Sequence, residues 1–552
     1  MSKKITRRSF LKTTTIVSAG VLVGSSIQNR FDIIIRNGSI HDGLGNPASN
    51  FDLGIIGNRI VVIDNLSSAS ADRIIDATGL AVTPGFIDIH THTDIELIVN
   101  PRGESKIRQG ITTEIGGNCG SSPFPMTEED RVESADRWFT QYGFEADWND
   151  IPGFYNTLKQ KGIGLNYGSF TGHGDLRAAV IGRNDIQPAK DQLFQMRSLL
   201  EKSIEHGSLG LSTGLEYSPG SYAKTEELIE LCRTVSKHNG VYATHMRNED
   251  DHIEEALEEA LRICRETGVS TQISHLKVCN KNNWHKVPYI LEMLDNAAAI
   301  LPVKADRYPY DAWGTGLSSM LPLWSRQGST EDVLTRLKDY SQLDGIAAYA
   351  EDRARRIGGW DQLLISNCKT EANKIWEGKS IQECAEEAAM PPFDFVRNLL
   401  IEDRTNVGIV GFAMNEENLK AFLKSPHVMV GSDGSTAATY GALYKGKPHP
   451  RYYGTFPRVL GRYVRDEKTL ELPEAIKMMT SMPAEKLNLK QRGSLQKGNF
   501  ADITIFNPAT VIDNATFADP HQYPTGIDYV IVNGKVIIDH GEHSGALAGQ
   551  LI

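Results

Sequence analysis

Two histidines separated by one residue end an apolar run early in the chain. His90 and His92 lie within Phe86–Asp94, directly after Pro84-Gly85 interrupts the preceding pattern. Because successive side chains of a β-strand point to opposite faces, residues i and i+2 share one face. Two imidazoles at the carboxyl end of a strand can converge on one ion, so the motif predicts a pair of metal ligands.

Three further candidate ligands end other apolar runs. Cys119 follows Gly116-Gly117-Asn118, His245 ends Val241–His245, and His275 ends Thr271–His275. Each residue taken alone is more often structural. Together they form a Cys-His-His set that suits Zn²⁺, an ion bound by thiolate and imidazole. His90 and His92 could then hold a second ion, with Cys119 bridging the two.

Asp433 is the candidate acid/base. It ends another apolar run, in Val428–Gly434. An aspartate before glycine commonly caps a loop, and that alternative stays open. A carboxylate beside a water acidified by a metal can take its proton and pass it to a leaving group. An unperturbed aspartate has a pKa of about 3.9, so we expect desolvation to raise the pKa of Asp433 for the second transfer.

Length and composition are those of a globular protein with one large domain and an accessory unit. The 552 residues are 40% hydrophobic and 23% charged, which argues against disorder. The formal net charge is −11, and the chain has no strongly basic tract. Because phosphate binding draws on clustered lysine and arginine, this balance argues against a nucleic-acid partner.

The first 28 residues match a twin-arginine signal segment. The pattern Thr6–Lys12 contains Arg7-Arg8 and is followed by a mildly apolar run over 13–27. We expect export to the periplasm by the twin-arginine pathway. A chance Arg-Arg before a membrane anchor is the alternative, but the run is shorter than the ~20 residues that a span needs. No later stretch is long and apolar enough, so we expect no stable span after signal removal.

The six cysteines are widely spaced, at positions 119, 232, 264, 279, 368 and 384. An even number in an exported protein usually suggests disulfides. Twin-arginine export carries folded proteins, and folding in a reducing cytosol permits free thiols and metal loading. We therefore predict no disulfide framework.

Alternating strands and helices must position the candidate residues. The clearest helix covers Asp251–Thr267, where Ile253, Leu257 and Leu261 fall on one stripe. This alternation predicts an α/β fold, a TIM-like (β/α)8 barrel over residues 85–484, whose active site lies at the carboxyl ends of the strands. The apolar runs end near Cys119, His173, Thr213, His245, His275, Tyr308 and Asp433.

Short β segments flank the barrel at residues 29–84 and 485–552. Turn residues between apolar runs predict hairpins around Asn37-Gly38, Gly57-Asn58 and Asn533-Gly534. Neither end has enough apolar surface alone, so we expect one small β-sandwich built from both. Two independent β caps are the alternative.

A charged and helical stretch from about 313 to 392 breaks the alternation after the seventh predicted strand. We interpret it as an insertion that acts as a lid over the site. Two ordinary barrel helices with no gating role are the alternative.

Several short motifs of the chain carry a resemblance to a known family. They are His90-Thr91-His92, Gly117-Asn118-Cys119-Gly120, Ser212–Tyr217, Ser274-His275-Leu276-Lys277, Tyr308-Pro309-Tyr310, Gly431–Gly434, His449-Pro450-Arg451 and Gly454–Leu460. Together they closely resemble the motifs of the N-acyl-D-amino-acid deacylase (D-aminoacylase) family of the amidohydrolase superfamily. The likeness extends from about Phe31 to Ile538. Cys119 in the second strand is the discriminating residue, because many amidohydrolases bridge their metals with a carboxylated lysine.

The resemblance implies a role for each of these residues. It implies a tightly held zinc on Cys119, His245 and His275, and a weaker second site on His90, His92 and Cys119. It implies Asp433 as catalytic acid/base. It also implies that the substrate's α-carboxylate is held by Lys277, Arg451, Tyr217 and Tyr308.

Those four side chains suit a carboxylate, because arginine offers a planar fork, lysine a point charge and tyrosine a neutral donor. Tyr308 is the least secure of them, since Tyr310 is close by. We expect His173 to be a structural or supporting residue.

The implied reaction is zinc-dependent hydrolysis of the amide bond of an N-acyl-D-amino acid to a carboxylate and a free D-amino acid. The preference for the D configuration comes from the resemblance alone. The nearest alternative is a related amidohydrolase acting on cyclic amides or dipeptides. An alternative of another class is a catalytically inactive, metal-dependent binding protein. The link Ser435–Pro448 is longer and richer in glycine and lysine than the family pattern, so we expect a reshaped pocket.

Overall fold

The computed structural model describes residues 30–552, so the twin-arginine pattern lies outside the described residues. Within residues 30–552, no helix combines the length and the apolar character that crossing a membrane requires.

Strands from the two flanking segments form two β-sheets that pack on each other. These strands are β1 (Phe31–Arg36), β2 (Ser39–Ile40), β3 (Asp52–Ile56), β4 (Arg59–Asp64), β5 (Ala71–Asp76), β6 (Ala81–Pro84), β19 (Ile503–Phe506), β20 (Ile527–Val532), β21 (Lys535–Asp539) and β22 (Glu542–His543). One sheet has the order β4-β3-β1-β5 and the other the order β2-β6-β19-β20-β21-β22. Ile33 and Ile55 of the first sheet share a hydrophobic core with Ile503 and Ile531 of the second. The two flanking segments therefore form one β-sandwich.

Two of the three predicted hairpins are confirmed and one is wrong. β3 pairs with β4 around Gly57-Asn58, and β20 pairs with β21 around Asn533-Gly534. β1 does not pair with β2, because its two edges are occupied by β3 and β5. β2 instead runs parallel to β6.

Parallel strands form the (β/α)8 barrel. They are β7 (Phe86–Asp88), β8 (Ile111–Gly116), β9 (Asn166–Ser169) continued by β10 (Thr171–Gly172), β11 (Gly210–Gly214), β12 (Val241–His245), β13 (Ser270–Ile273), β14 (Val303–Arg307) and β18 (Val428–Val430). The chain after β18 returns to the chain after β7 through a parallel bridge between Thr91 and Gly434. The Asp433 amide also donates to the His90 carbonyl at 2.8 Å.

Helices between the strands bury one apolar stripe against the barrel. The predicted helix is confirmed as α8 (Ile253–Thr267), with Ile253, Leu257, Leu261 and Cys264 buried. The others around the barrel are α1 (Glu96–Val99), α2 (Glu104–Ile107), α3 (Glu128–Tyr142), α4 (Ile151–Lys161), α5 (His173–Ile181), α6 (Lys190–Glu205), α7 (Thr225–Lys237), α9 (Val287–Ala298), α14 (Glu416–Leu423), α15 (Arg451–Arg458), α16 (Leu472–Met479) and α17 (Ser481–Lys486).

The interruption between β14 and β18 contains a sheet as well as helices. Its helices are α10 (Thr330–Lys338), α11 (Tyr340–Ile357), α12 (Ile381–Glu387) and α13 (Pro392–Glu402), and its strands are β15 (Trp313–Gly316), β16 (Leu363–Cys368) and β17 (Val407–Gly411). The strands pair antiparallel in the order β15-β17-β16 and share a hydrophobic core with the helices. The charged helical pattern did not indicate these strands, because β15 and β17 are short and rich in glycine.

Candidate active site

The five predicted metal-ligand side chains meet at the carboxyl ends of the barrel strands. The Cys119 Sγ atom lies 3.4 Å from His90 Nε2 and 3.4 Å from His275 Nε2. His245 Nδ1 lies 2.9 Å from His275 Nε2. Two groups of close donor atoms share the thiol: Cys119 with His245 and His275, and Cys119 with His90, His92 and Asp433.

The donor chemistry and spacing fit zinc. Zinc–sulfur distances of about 2.3 Å and zinc–nitrogen distances of about 2.0–2.1 Å place tetrahedral ligands about 3.5 Å apart. The 3.4 Å separations from the Cys119 sulfur agree with that spacing. A mixed thiolate and imidazole set is also the combination that zinc prefers.

The backbone is left-handed at three of the site residues. The φ angles of Cys119, His275 and Asp433 are 51°, 38° and 52°. Non-glycine residues rarely adopt this conformation, which costs of order 1–3 kcal/mol and persists only where the surroundings enforce it. Each of these residues lies just after a barrel strand, so strained backbone occurs at the predicted site as well as at other turns of the chain.

Three carboxylates that the sequence reasoning missed face the histidines. In each case the carboxylate lies near the ring nitrogen that is not directed at the other proposed ligands. His90 Nδ1 lies 3.1 Å from Asp306, His275 Nδ1 lies 2.9 Å from Glu249, and His245 Nε2 lies 3.3 Å from Glu216. A carboxylate on one ring nitrogen fixes the tautomer and aims the other nitrogen at a metal. Two signals were available: Asp306 ends an apolar run, and Glu249 lies four residues after His245.

The surroundings favour the thiolate form of Cys119. Burial alone would raise the pKa of the thiol, but the coulombic effects of His90 and His275 outweigh burial and hold the pKa well below its usual value. The thiolate is the form that binds metals.

Asp433 is buried between a histidine and an arginine. Its carboxylate lies 3.0 Å from His92 Nε2 and 2.8 Å from Arg451 Nη1. Burial acts to raise its pKa, as expected, but the coulombic effects of Arg451 and His275 outweigh it and hold the pKa well below the usual value. The expectation of a raised pKa is therefore wrong for the free protein, because Arg451 stabilises the ionised carboxylate.

The four predicted carboxylate-binding side chains line one cavity of about 1770 Å³ together with Cys119, His245 and Asp433. The Arg451 guanidinium lies over the Tyr308 ring, with Cζ 4.7 Å from its centroid. Lys277 Nζ lies 2.5 Å from Glu249. The Tyr217 hydroxyl accepts a hydrogen bond from Thr315 at 3.2 Å, and its ring lies 4.7 Å from that of His245.

Tyr308 and its neighbour Tyr310 have different surroundings. Tyr308 lines the cavity, and its buried hydroxyl has no hydrogen-bond partner among the described residues. The Tyr310 hydroxyl instead lies 3.2 Å from Asp513. His173 is buried and lies 2.8 Å from Glu227, so it is not part of the metal-ligand cluster.

The cavity walls come from the interruption after β14 and from the link Ser435–Pro448. Strands β15, β16 and β17 line one side, and the link lines another from Ser435 to Pro448. The link is fastened to β16, because the Lys447 amide donates to the Ser366 carbonyl at 2.6 Å. The interruption also reaches the ligand cluster, since Arg353 of α11 lies 2.6 Å from Glu216, the carboxylate facing His245.

Known proteins resemble this chain over most of its length. Residues 73–283 and 344–538 match the model of the amidohydrolase family. A D-aminoacylase of Alcaligenes xylosoxydans xylosoxydans is 35% identical over 522 residues, which cover 95% of this chain and 97% of that protein. The chain belongs to the amidohydrolase family.

Two solved structures place this amidohydrolase in the D-aminoacylase group. One is a D-aminoacylase with a binuclear metal centre, at 35% identity and a TM-score of 0.80, covering 94% of this chain and 99% of that one. The other is N-acyl-D-glutamate deacylase from Bordetella bronchiseptica with zinc and a phosphonate inhibitor. It is 31% identical, with a TM-score of 0.80, and covers 95% of this chain and 99% of that one. This amidohydrolase is a metal-dependent enzyme.

Proposed function

We propose that this amidohydrolase hydrolyses the amide bond of linear N-acyl-D-amino acids, releasing a carboxylate and a free D-amino acid. The observation that carries the proposal is the pair of buried cations, Lys277 and Arg451, in the cavity that contains the Cys-His cluster. A substrate without a free α-carboxylate would make no use of these two charges, which in the free protein pair with Glu249 and Asp433. The D-aminoacylase and the N-acyl-D-glutamate deacylase that match the chain support the same reaction class.

We propose Cys119, His245 and His275 as the ligands of a tightly held zinc ion. His90, His92 and Cys119 are the proposed ligands of a weaker second site, with Asp433 close to them. A bound zinc ion supplies Lewis-acid polarisation of a carbonyl and lowers the pKa of water. The matched D-aminoacylase is described as activated by one metal and attenuated by a second, which supports two unequal sites.

Asp433 moves the proton in the proposed reaction. With a lowered pKa it is ionised at neutral pH, so it can accept the proton of the attacking water. Once protonated, a carboxyl of low pKa is a strong donor toward the far more basic nitrogen of the departing amine. The lowered pKa therefore keeps Asp433 ionised for the first transfer and makes it a strong donor in the second, although it weakens the carboxylate as a base in the first.

The remaining residues bind and orient the substrate. Arg451 offers a fork of donors to the α-carboxylate, Lys277 adds a point charge, and the free Tyr308 hydroxyl adds a neutral donor. Fixing the amino-acid moiety at its carboxylate holds the amide bond beside Asp433, which is the entropic part of the rate enhancement. The walls from the interruption and the link border the space left for the substrate, so we propose that they set the accepted side chain.

A matched panel tests the reaction. Purified enzyme is assayed for amine release from N-acetyl-D-amino acids and their L enantiomers, with acidic, apolar and aromatic side chains in each set. We expect release from the D compounds and at least ten times less from the L compounds. If the metal-loaded enzyme releases amine from no acylated amino acid, the inactive binding protein becomes the better interpretation. Turnover of cyclic amides or dipeptides alone favours the other amidohydrolase interpretation.

We also propose export to the periplasm through the twin-arginine pathway. The support is Arg7-Arg8 in the pattern Thr6–Lys12 and six widely spaced cysteines. Cell fractionation of the wild type and of the double variant Arg7→Lys/Arg8→Lys tests it. We expect periplasmic enzyme for the wild type and cytoplasmic enzyme for the variant, and equal distribution of the two would contradict the proposal.

A further inference from the structure

A short buried segment, Glu104–Gln109, lies against both ends of the connection between Asp433 and Arg451. It contains α2 and joins β7 to β8. Lys106 and Gln109 are both 0% exposed. Ser105 holds the start of the connection, because its amide donates to the Ala437 carbonyl at 3.1 Å and its hydroxyl accepts from the Ala437 amide at 2.9 Å.

Lys106 donates hydrogen bonds to the residues on either side of Asp433. Its ammonium donates to Ser432 Oγ at 2.7 Å, to the Gly434 carbonyl at 2.7 Å and to Asp88 at 2.9 Å. The other oxygen of Asp88 accepts from the Ser432 amide at 2.8 Å. One buried ion pair thus joins the first barrel strand, which leads to His90, to the last strand, which leads to Asp433.

Gln109 is hydrogen-bonded to the start of α15, the helix that begins with Arg451. Its Nε2 donates to the Tyr452 carbonyl at 3.0 Å and to the Ser105 carbonyl at 2.7 Å. Its Oε1 accepts from the Phe456 amide at 3.4 Å. These bonds set the position of α15, and therefore the point from which the Arg451 side chain extends over Tyr308.

The intervening link cannot set this spacing by itself. Between Asp433 and Arg451 the chain has one short turn of helix, Gly441–Leu443, and its Gly441 and Tyr444 are exposed. Holding the two ends of such a connection at one spacing costs conformational entropy. The buried contacts of Lys106 and Gln109, together with the bonds from Lys447 to Ser366 and from Asp433 to His90, offset that cost.

We propose that Lys106 and Gln109 are positioning residues that set two functional groups separately: Lys106 sets the acid/base Asp433, and Gln109 sets the carboxylate anchor Arg451. This inference rests on the proposed function. It predicts different kinetic effects from two buried side chains three residues apart: a lowered kcat for one and a raised KM for the other.

The test compares Lys106→Met and Gln109→Met with wild type on an N-acetyl-D-amino acid. We expect Lys106→Met to lower kcat about 100-fold with KM changed by less than about threefold, because small displacements of a reacting group cost rates of that order. We expect Gln109→Met to raise KM about tenfold with kcat changed by less than about threefold, because it loosens binding alone.

Lys486→Met is the matched control. Lys486 is 7% exposed and donates one hydrogen bond, of 2.8 Å, to the Pro302 carbonyl just before β14, at the barrel face opposite the site. The variant loses a buried lysine amine, whose pKa burial lowers to about 7, at a place remote from the site, so we expect kcat and KM within about twofold of wild type.

A second variant separates positioning from charge balance. Lys106→Met leaves the buried Asp88 carboxylate without its cation, which can prevent folding. The double variant Lys106→Met/Asp88→Asn removes that charge but does not restore the lost contacts to Ser432 and Gly434. We expect its thermal stability to recover while kcat stays about 100-fold low. Recovery of kcat along with stability overturns the assignment for Lys106.

Two further outcomes complete the test. If Lys106→Met and Gln109→Met change kcat and KM in the same proportion, the segment has one general structural role and the inference is wrong. If wild type releases no amine from any acyl-D-amino acid, the proposed function fails instead. The positioning claim is then still tested by crystal structures of the two variants, in which Asp433 must move in the first and Arg451 in the second.

Discussion

Removing Arg451 distinguishes hydrolysis of N-acyl-amino acids from hydrolysis of uncharged amides. Arg451 is 4% exposed, its Nη1 lies 2.8 Å from Asp433, and its guanidinium covers the Tyr308 ring. In Arg451→Ala the cavity keeps its Cys-His cluster and Asp433 but loses the fork that we propose binds the substrate's α-carboxylate. We expect the loss to fall on substrates that carry this carboxylate.

The size of the effect follows from the geometry. Two unit charges 2.8 Å apart, the separation that Arg451 keeps from Asp433, attract by about 6 kcal/mol at an effective dielectric constant of 20. Desolvation of both groups offsets part of this attraction, and removing one partner of a buried charge pair costs about 2–5 kcal/mol. A loss of about 3 kcal/mol lowers kcat/KM roughly 150-fold, at 1.36 kcal/mol per factor of ten.

The assay uses two substrates that differ only in charge. N-acetyl-D-leucine carries the α-carboxylate, and N-acetyl-D-leucinamide replaces it with a neutral amide. We expect Arg451→Ala to lose about 150-fold in kcat/KM on the first and less than about tenfold on the second. Arg458→Ala is the control, because Arg458 lies on the same helix but contacts Asp513.

The same variant has a predicted pH dependence. Arg451 lowers the pKa of Asp433, so its removal raises that pKa. The acid limb of kcat/KM therefore moves to higher pH. A carboxylate with a lowered folded pKa stabilises the fold above its unfolded pKa and loses this contribution as the pH falls, so the variant's melting temperature declines less steeply in acid. In the substrate assay, equal kcat/KM for wild type and Arg451→Ala on N-acetyl-D-leucine would refute the role of Arg451 in binding the α-carboxylate.

Three predictions concern the metal. Cys119→Ser should bind zinc at least 100-fold more weakly, measured by competition with a chromogenic chelator, and unchanged affinity would exclude Cys119 as a ligand. Glu249→Gln should weaken zinc binding about 10–100-fold, because Glu249 orients His275, whereas the control Glu254→Gln should not. Zinc at 100 times its Kd should add about 2.7 kcal/mol to the apoprotein's stability, seen as a higher melting temperature, and a melting temperature that does not respond to zinc contradicts this.

The barrel and the convergence of the proposed ligands were predictable because each depends on a local pattern. An apolar run ending in histidine or cysteine shows in the sequence at His245, His275 and Cys119, and the barrel brings such ends together. Helix α8 was predictable for the same reason, since its buried stripe repeats with the helical period.

The rest depends on contacts between segments far apart in the chain. The sequence did not show that Glu249 and Lys277 would lie 2.5 Å apart, or that Arg353 would cross from α11 to Glu216. It did not show the lowered pKa of Asp433 either, because that requires Arg451, a residue beyond a long link, to lie beside it. The first predicted hairpin failed because tertiary pairing gave β1 two other neighbours.

The second sheet of the sandwich has a consequence for biosynthesis. Strand β6 pairs with β2 on one side and with β19, through Val82 and Ile505, on the other. Strand β19 follows the barrel in the chain, so β6 has no partner on that side until the ribosome has finished the whole barrel. Contacts between such distant positions make folding slow, and the early strands stay open to aggregation until then. Chains truncated before β19 should therefore accumulate as insoluble material even though every proposed ligand is already present.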